Sequence, residues 1–328
     1  MTRRAVACGL AALAVCLSAG SASTRAQQAE RVAVVGRLAV NNGGANDPIE
    51  EALRKGLREL GYVEGRTIRI EFRTAQGDAD RLPRLAEELV RLNVDVIVTG
   101  TEISTRAAKQ ATSTIPIVAI LPDHDPVASG LIESFNRPGG NITGLTARNT
   151  QLAGKRLELL KEMLPGLARV AVLWDPFVRT EVKELKIAAR SLGIQLQLVE
   201  VKAPYDFDAA FTAAKRQKAG AVMMLSSPQV YIRRVQLGAL ALKHKVPAEA
   251  PFRDLTAAGG LMTYSTDITD SFGRAAYFID RLLKGAKPSD LPFEQSATIK
   301  LVVNLKTAKA LGITIPQSIL LRADEVIP

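Results

Sequence analysis

The sequence is poor in the side chains that carry most enzyme chemistry. Its 328 residues include two cysteines, Cys8 and Cys16, and two histidines, His124 and His244. Both cysteines lie in an N-terminal segment that we expect to be removed, so the mature chain would hold no disulfide and no thiol nucleophile. His124 stands between two aspartates, but no further ligands follow at the spacing of a zinc site. We therefore expect neither a metal nor another cofactor.

Motifs of catalysis and of nucleotide binding are also missing. There is no nucleophile elbow and no phosphate-binding loop, and the glycine-rich residues 43–48 lack dinucleotide-binding spacing and a matching acid. Basic residues are spread along the chain, without a basic arm or aromatic–basic interleaving, which argues against nucleic acid as a partner. We predict a binding protein and not an enzyme. An exported α/β enzyme is the alternative, and measured turnover would favour it.

Basic residues outnumber acidic ones, with 43 Lys and Arg against 33 Asp and Glu and a formal net charge of +10. Such a field could steer an anionic ligand or favour anionic lipid. A solvated basic surface without a charged partner explains the same excess.

The first 26 residues are typical of a secretory signal peptide. Arg3 and Arg4 precede an apolar run over residues 5–19, and small and polar residues follow up to Ala26. A basic start, a short apolar segment and a small residue at the cut define such peptides. A membrane anchor is the alternative, but the run is shorter than the about 20 strongly apolar residues of a spanning helix. We predict cleavage after Ala26, with Ala22 as second choice, and a periplasmic location.

The rest of the chain alternates short β-branched runs with helical patterns, which favours parallel sheets covered by helices. The pattern then restarts, and five elements recur in the same order about 130 residues apart. The paired segments are 31–36 with 169–174, 58–61 with 190–193, 68–72 with 196–201, 95–105 with 220–231, and 114–120 with 245–251. The predicted fold class is α/β, with two doubly wound parallel-sheet lobes. A single long α/β domain is the alternative, but it would leave the restart unexplained.

Three segments are candidates for crossings between the lobes: residues 136–146, 257–265 and 297–303. They predict a first lobe of residues 31–143 plus 263–296. The second lobe would then hold residues 144–262 plus 297–328.

Ligands of open parallel sheets bind at the carboxyl ends of the strands. Thr101 and Ser104, with free N–H groups at a helix start, could hold a carboxylate, although N-capping explains the same residues. Asp125 before a proline is typical of an N-cap and could also receive an ammonium group. Aromatic residues near these loops could form flat walls, or could pack in the core. The candidate ligand contacts are Thr101, Glu102, Ile103, Ser104, Asp125, Asp175, Phe177, Ser226, Ser227, Tyr231, Phe252 and Tyr264.

The chain resembles the tryptophan/tyrosine-type substrate-binding proteins of ABC transporters over nearly all of its mature length. The resemblance rests on residues 57–66, 77–90, 125–130, 137–146, 155–173, 257–267, 281–292 and 304–316. It implies a type I periplasmic binding protein fold with three hinge crossings, closing on an aromatic amino acid whose carboxylate is held at 99–103. It also implies a permease and an ATPase as partners.

Two positions depart from the family pattern. Glu102 stands where the family has proline or alanine, so it must point away from a ligand carboxylate or the ligand must differ. The second-lobe loop that can carry an acid for the ammonium reads Ser226-Ser227-Pro228.

Taken together, these features predict the solute-binding component of an ABC importer, which captures an amino acid or another small carboxylate between its lobes. Contact with the membrane would be made only through the permease. A periplasmic sensor that presents its closed form to a membrane receptor is the alternative function.

Overall fold

The computed structural model describes residues 31–41, 47–121, 125–147, 149–296 and 298–328. The predicted leader and His124 lie outside these ranges. Within the described part of the chain, no helix has the length and apolarity that crossing a bilayer requires.

Strands and helices alternate from the start of the described chain. The elements are β1 (Ala33–Ala39), α1 (Pro48–Glu59), β2 (Ile68–Thr74), α2 (Leu82–Arg91), β3 (Val96–Thr99), α3 (Glu102–Ala111), β4 (Ile117–Leu121), β5 (Ile142–Thr146), α4 (Ala153–Met163), β6 (Arg169–Trp174), α5 (Arg179–Leu192), β7 (Gln195–Glu200), α6 (Phe207–Arg216), β8 (Ala221–Met224), α7 (Pro228–Ile232), α8 (Arg234–His244), β9 (Ala248–Ala250), α9 (Arg253–Ala257), β10 (Met262–Thr266), α10 (Ile268–Leu283), β11 (Glu294–Gln295), β12 (Ile299–Asn304), α11 (Leu305–Ala310), α12 (Gln317–Leu320) and β13 (Glu325–Ile327).

The strands form two separate sheets. The first has the order β2–β1–β3–β4–β5–β11, and all its pairs are parallel. The second has the order β7–β6–β8–β9–β10–β12–β13 and is parallel except where β10 meets β12. The first five strands of each sheet therefore follow one spatial order, which confirms the predicted pair of doubly wound lobes.

Local sequence explains where the helices begin and end. Asp47 caps α1 by accepting from the N–H of Ile49, and Pro48 follows at the first helical position. Gly193 ends α5 with φ of 65°, a left-handed conformation that glycine adopts at little cost. The strands β3 and β8 are buried along their whole length, since helices cover both faces of each sheet.

The chain passes between the sheets three times: after β5, between β10 and α10, and between β11 and β12. The last two segments run beside each other, because β10 and β12 pair antiparallel up to Thr266 opposite Ile299. The chain therefore crosses three times, as predicted, but the predicted segments 136–146 and 257–265 end in β5 and β10, within the two sheets. Since β5 continues in the first sheet to Thr146 and β10 belongs to the second, we propose lobe limits near 147 and 267. The sequence had suggested limits at 143 and 263.

Helix α10 returns to the first lobe and packs closely against α1. A Cβ at Gly56 of α1 would lie 2.5 Å from the carbonyl oxygen of Gly273 and 2.9 Å from the Cβ of Ala276. The two helix backbones are thus almost in contact. This packing attaches the chain segment that follows the second crossing to the first lobe.

We expect Gly56→Ala to destabilise the protein by up to about 2 kcal/mol. Alanine is favoured over glycine inside a helix by about 1 kcal/mol, but a Cβ here overpacks the contact at a cost of about 1–3 kcal/mol. Gly273→Ala is the matched control, because its Cβ would meet the carbonyl oxygen of Ala52 at an ordinary 3.7 Å. Urea denaturation should show opposite signs for the two variants, and equal gains in both would contradict the close packing.

Candidate functional site

A cavity of about 350 Å³ lies where the carboxyl edges of the two sheets meet. The first lobe contributes the end of β1, the start of α1, the loop before α3, and the start of α10. The second lobe contributes the loop before α7, α7 itself, and the residues after β9. The polar and charged side chains of the lining are Arg37, Asn41, Asp47, Glu50, Thr101, Glu102, Ser226, Ser227, Tyr231 and Arg234.

Most of the residues predicted as ligand contacts line this cavity. They are Thr101, Glu102, Ile103, Ser226, Ser227, Tyr231 and Phe252. Whether they touch a ligand stays a prediction, but the structure brings the loops of both lobes to one place.

The other predicted contacts do not line the cavity. Asp125 accepts hydrogen bonds from the N–H groups of Val127 and Ala128, as an N-cap does. Tyr264 lies in β10 and packs on the core of the second lobe. Asp175 is buried at the end of β6, and the side chain of Phe177 lies outside what the structure describes.

The fifth, Ser104, is buried in a capping box at the start of α3. Its N–H donates to the Thr101 hydroxyl at 3.2 Å, and its own hydroxyl accepts from the Thr101 N–H at 3.2 Å. The N-cap interpretation therefore describes Ser104, while Thr101 both caps the helix and lines the cavity. The amide of Ile103 has no acceptor within its helix, as at any helix start, and Ile103 lines the cavity.

Glu102, the first residue of α3, is paired with its neighbour one turn on. Its carboxylate accepts from the guanidinium of Arg106 at 2.6 and 2.7 Å. The pair has the i, i+4 spacing that favours such contacts on a helix. The repulsion expected between Glu102 and a ligand carboxylate is therefore reduced by an adjacent positive charge.

A buried ion pair, not predicted from the sequence, forms the floor of the cavity in the first lobe. Arg37 in β1 donates Nε to Glu50 at 2.9 Å and Nη1 to the carbonyl of Leu38 at 2.9 Å. Its guanidinium lies 4.9 Å from the centre of the Phe272 ring. Gly100 lies beside it, and a Cβ there would approach Phe272 to 3.1 Å, so the ring would have to shift. The one sequence signal for this buried ion pair was an arginine inside an apolar strand.

Two hydrogen bonds join the lobes across the cavity. The Tyr231 hydroxyl donates to Asp47 Oδ1 at 2.7 Å, and Asn41 Nδ2 donates to the carbonyl of Pro228 at 3.0 Å. Burial and the adjacent Asp47 carboxylate raise the pKa of Tyr231, so the phenol stays protonated and can donate. The Tyr231 ring meets Phe252 edge to face at 5.2 Å. The structure therefore shows a closed arrangement of the lobes.

Two buried oxygens in the lining accept no hydrogen bond from the described residues: Ser226 Oγ and Asn41 Oδ1. An unpaired buried polar atom costs about 1–3 kcal/mol. Such atoms in a cavity mark places where a ligand or a water can bind.

A fully buried charge cluster lies behind Ser226 in the second lobe. Arg156 of α4 donates to both oxygens of Glu249 at 2.8 and 2.6 Å and to Glu181 at 2.5 Å. The other oxygen of Glu181 accepts from the Ser226 N–H at 3.1 Å. Burial, with a smaller contribution from Glu249, raises the pKa of Glu181 to about 6 against the lowering effect of Arg156. Burial also raises the pKa of Glu249.

Two doubly wound lobes with three crossings and a cleft at the strand ends define the periplasmic binding protein fold. The family model for the ABC transporter substrate binding protein matches residues 32–327. The chain therefore belongs to this family of solute-binding proteins.

Relatives of known structure or name agree with this assignment. A conserved domain protein from Vibrio cholerae is 28% identical, with a TM-score of 0.81 over 90% of this chain and 100% of that chain. An ABC domain from Streptococcus pneumoniae, solved in complex with L-Trp, is 27% identical, with a TM-score of 0.80 over 90% and 99%. A tyrosine-binding protein of Clostridioides difficile (strain R20291) is 24% identical over 271 residues, which are 81% of this chain and 76% of that protein.

We expect Tyr231→Phe to shift the lobes toward a more open arrangement by about tenfold in population, because a hydrogen bond to a charged acceptor contributes about 1.5–3 kcal/mol. Tyr62→Phe is the matched control, since Tyr62 donates to Asp280 at 3.1 Å within one lobe. Residues 27–328 contain no cysteine, so spin labels can be placed specifically on α2 and α6. Distances between the labels should lengthen only for Tyr231→Phe. An unchanged distribution in that variant would contradict a closing role.

We expect the ligand-free protein to become less stable as pH rises through about 6, because of Glu181. Its folded pKa of about 6 lies above the ordinary 4.5, so the native state holds a proton that the unfolded state releases. The free energy of unfolding then falls by at most about 2 kcal/mol between pH 4.5 and 7.

Thermal unfolding of wild type and Glu181→Gln across pH 5–8 measures this effect. The stability of Glu181→Gln relative to wild type should rise with pH. Glu158→Gln, an exposed change on α4, should keep a constant difference. A Glu181→Gln difference that does not change with pH would show that burial does not disfavour this carboxylate.

Proposed function

We propose that this protein is the extracytoplasmic solute-binding component of an ABC importer and that its solute is an amino acid with an apolar, most simply aromatic, side chain. The observation that carries the proposal is the cavity itself. It is built from strand-end loops of both lobes, and hydrogen bonds between the lobes close it.

The size and walls of the cavity suit one small molecule. Its volume is at the lower end of the range of about 300–1,000 Å³ that small-molecule sites occupy. Phe252, Tyr231 and Phe272 supply aromatic surface, and Ile103 and Ile268 add aliphatic surface. Flat apolar walls with a few polar groups are the usual pattern of such sites.

One end of the cavity suits a carboxylate. The start of α3 offers the partial positive charge of a helix N-terminus, and Thr101 offers a hydroxyl. Relatives support the same ligand class, because one at 27% identity was solved with L-Trp and another is named a tyrosine-binding protein.

We further propose that the protein does no chemistry on its solute. Arg37 and Glu50 are paired with each other, Glu102 with Arg106, and Arg234 with Asp254. These charged groups of the lining are engaged in holding the cavity. The partners would be a permease and an ATPase, with membrane contact made through the permease, and the location would be the periplasm.

The proposal predicts that aromatic L-amino acids stabilise the protein against heat. A ligand present at 100 times its Kd stabilises the native state by about 2.7 kcal/mol, which gives a clear rise in Tm. A thermal-shift screen of the twenty L-amino acids, followed by calorimetry, measures this. The matching D-amino acids are the control and should cause a smaller shift. If no amino acid shifts Tm while other small solutes do, the amino-acid assignment is wrong.

A further inference from the structure

The Arg37–Glu50 pair on the cavity floor brings little to the fold itself. Arg37 lies inside the first sheet, between Phe72 of β2 and Val98 of β3, and its side chain is 3% exposed. Glu50, in the first turn of α1, is 5% exposed. Taking two charges out of water is costly, and apolar residues of similar volume often stabilise a core as well or better. The position of the pair on the floor of a cavity therefore points to a role in binding.

The pairing uses only part of the hydrogen-bonding capacity of the two side chains. Arg37 donates Nε to Glu50 Oε1 and Nη1 to the Leu38 carbonyl, whereas Arg37 Nη2 and Glu50 Oε2 make no hydrogen bond with the described residues. Both side chains line the cavity. Neither of the two atoms is among the fully enclosed polar atoms that lack a partner in the described part of the chain. Each atom is therefore reached from the cavity.

Gly100 leaves the guanidinium uncovered on its own side. This glycine also lines the cavity, and a Cβ there would stand 3.4 Å from Arg37 Nη2. The floor thus presents one donor, Nη2, and one acceptor, Glu50 Oε2, on two side chains that a bond of 2.9 Å holds together.

A donor beside an acceptor, with no net charge, restricts the kind of group that the floor can bind. A carboxylate would be attracted by Arg37 but repelled by Glu50, and an ammonium group would meet the reverse. An indole N–H only donates and a ketone only accepts, so each would leave one of the two side chains without a partner. A hydroxyl or a primary carboxamide donates and accepts at once, and it gives both atoms a partner.

We propose that Arg37 and Glu50 determine specificity by binding a neutral group of the solute that both donates and accepts hydrogen bonds, either a hydroxyl or a carboxamide. Arg37 Nη2 donates to the oxygen of this group, and Glu50 Oε2 accepts its hydrogen. The inference rests on the proposed function, because it concerns the same cavity. It adds one polar group to the apolar side chain of the solute. A phenol has such a group, whereas a benzene ring has none and an indole has only the donor.

The test compares amino acids of similar shape that differ in this group. L-tyrosine with L-phenylalanine examines the hydroxyl, and L-glutamine with L-glutamate examines the carboxamide. Calorimetry should show that wild type binds the first member of at least one pair about tenfold or more tightly than the second, because it completes hydrogen bonds to charged partners. The pair that shows the preference identifies the group.

Arg37→Leu combined with Glu50→Leu removes the donor and the acceptor together. This double variant leaves no buried charge without a partner, and such replacements are often neutral or stabilising, so we expect it to fold. The preference should fall to within about twofold. The ratio of the two affinities is the measured quantity, since general damage to the cavity would weaken both members of a pair. Glu51→Gln combined with Arg58→Gln removes an exposed ion pair of the same helix and should keep the wild-type ratio.

Glu50→Gln tests the acceptor alone. Glutamine keeps the size of the side chain and an oxygen for Arg37 Nε, but it places an amide donor where Glu50 Oε2 accepts. We expect about tenfold weaker binding of the preferred amino acid, because its hydrogen loses a charged acceptor, and a change within about twofold for its counterpart. Thermal unfolding of each variant shows whether it is folded.

Three results would overturn the inference. Equal affinities within both pairs in wild type, or a wild-type preference that survives in the double variant, would do so and leave the proposed function intact. If the double variant does not fold, an unchanged preference in Glu50→Gln decides in the same way. Failure of wild type to bind any of the four amino acids would overturn the proposed ligand class and the inference with it.

Discussion

Parallel strand pairing is the constraint on which the rest of the molecule depends. In a parallel sheet every strand ends at the same edge, so the loops that follow the strands are collected on one side. Here two such edges face each other. The cavity consequently draws on residues that follow β1, β3 and β8, such as Asn41, Thr101 and Ser226. The fully buried strands behind them, β3 and β8, have no exposed face and hold these loops on a rigid base.

Each lobe buries one arginine beneath its strand ends, and the two are neutralised differently. In the first lobe Arg37 meets one carboxylate, Glu50, so this buried pair carries no net charge. In the second lobe Arg156 meets two carboxylates, so that wall has a negative excess. A buried charge in low dielectric acts over a longer range than a surface charge.

The sequence predicted more of the fold than of the site. The restart of the pattern at Arg169 predicted the second sheet, and strand-to-helix loops such as that at Thr101 indicated the right edge. The pairing of Glu102 with Arg106 could have been predicted from their i, i+4 spacing, because such a pairing is a local property of a helix. The positions of Arg37 and Asp47 in the cavity could not have been predicted, because they depend on how α1 and α10 pack. Tyr264 does not line the cavity. Both faces of β10 are covered, so the sequence pattern of this strand does not indicate which side chains point toward the cleft.

Two of the three connections between the lobes leave the second sheet side by side, because β10 and β12 pair antiparallel up to Thr266 opposite Ile299. A two-stranded ribbon resists stretching and shear in its own plane and bends readily out of that plane. Together with the third connection, which follows β5, this ribbon leaves the lobes one easy direction of relative movement. We therefore expect relative movement of the lobes to be rotation about a single axis.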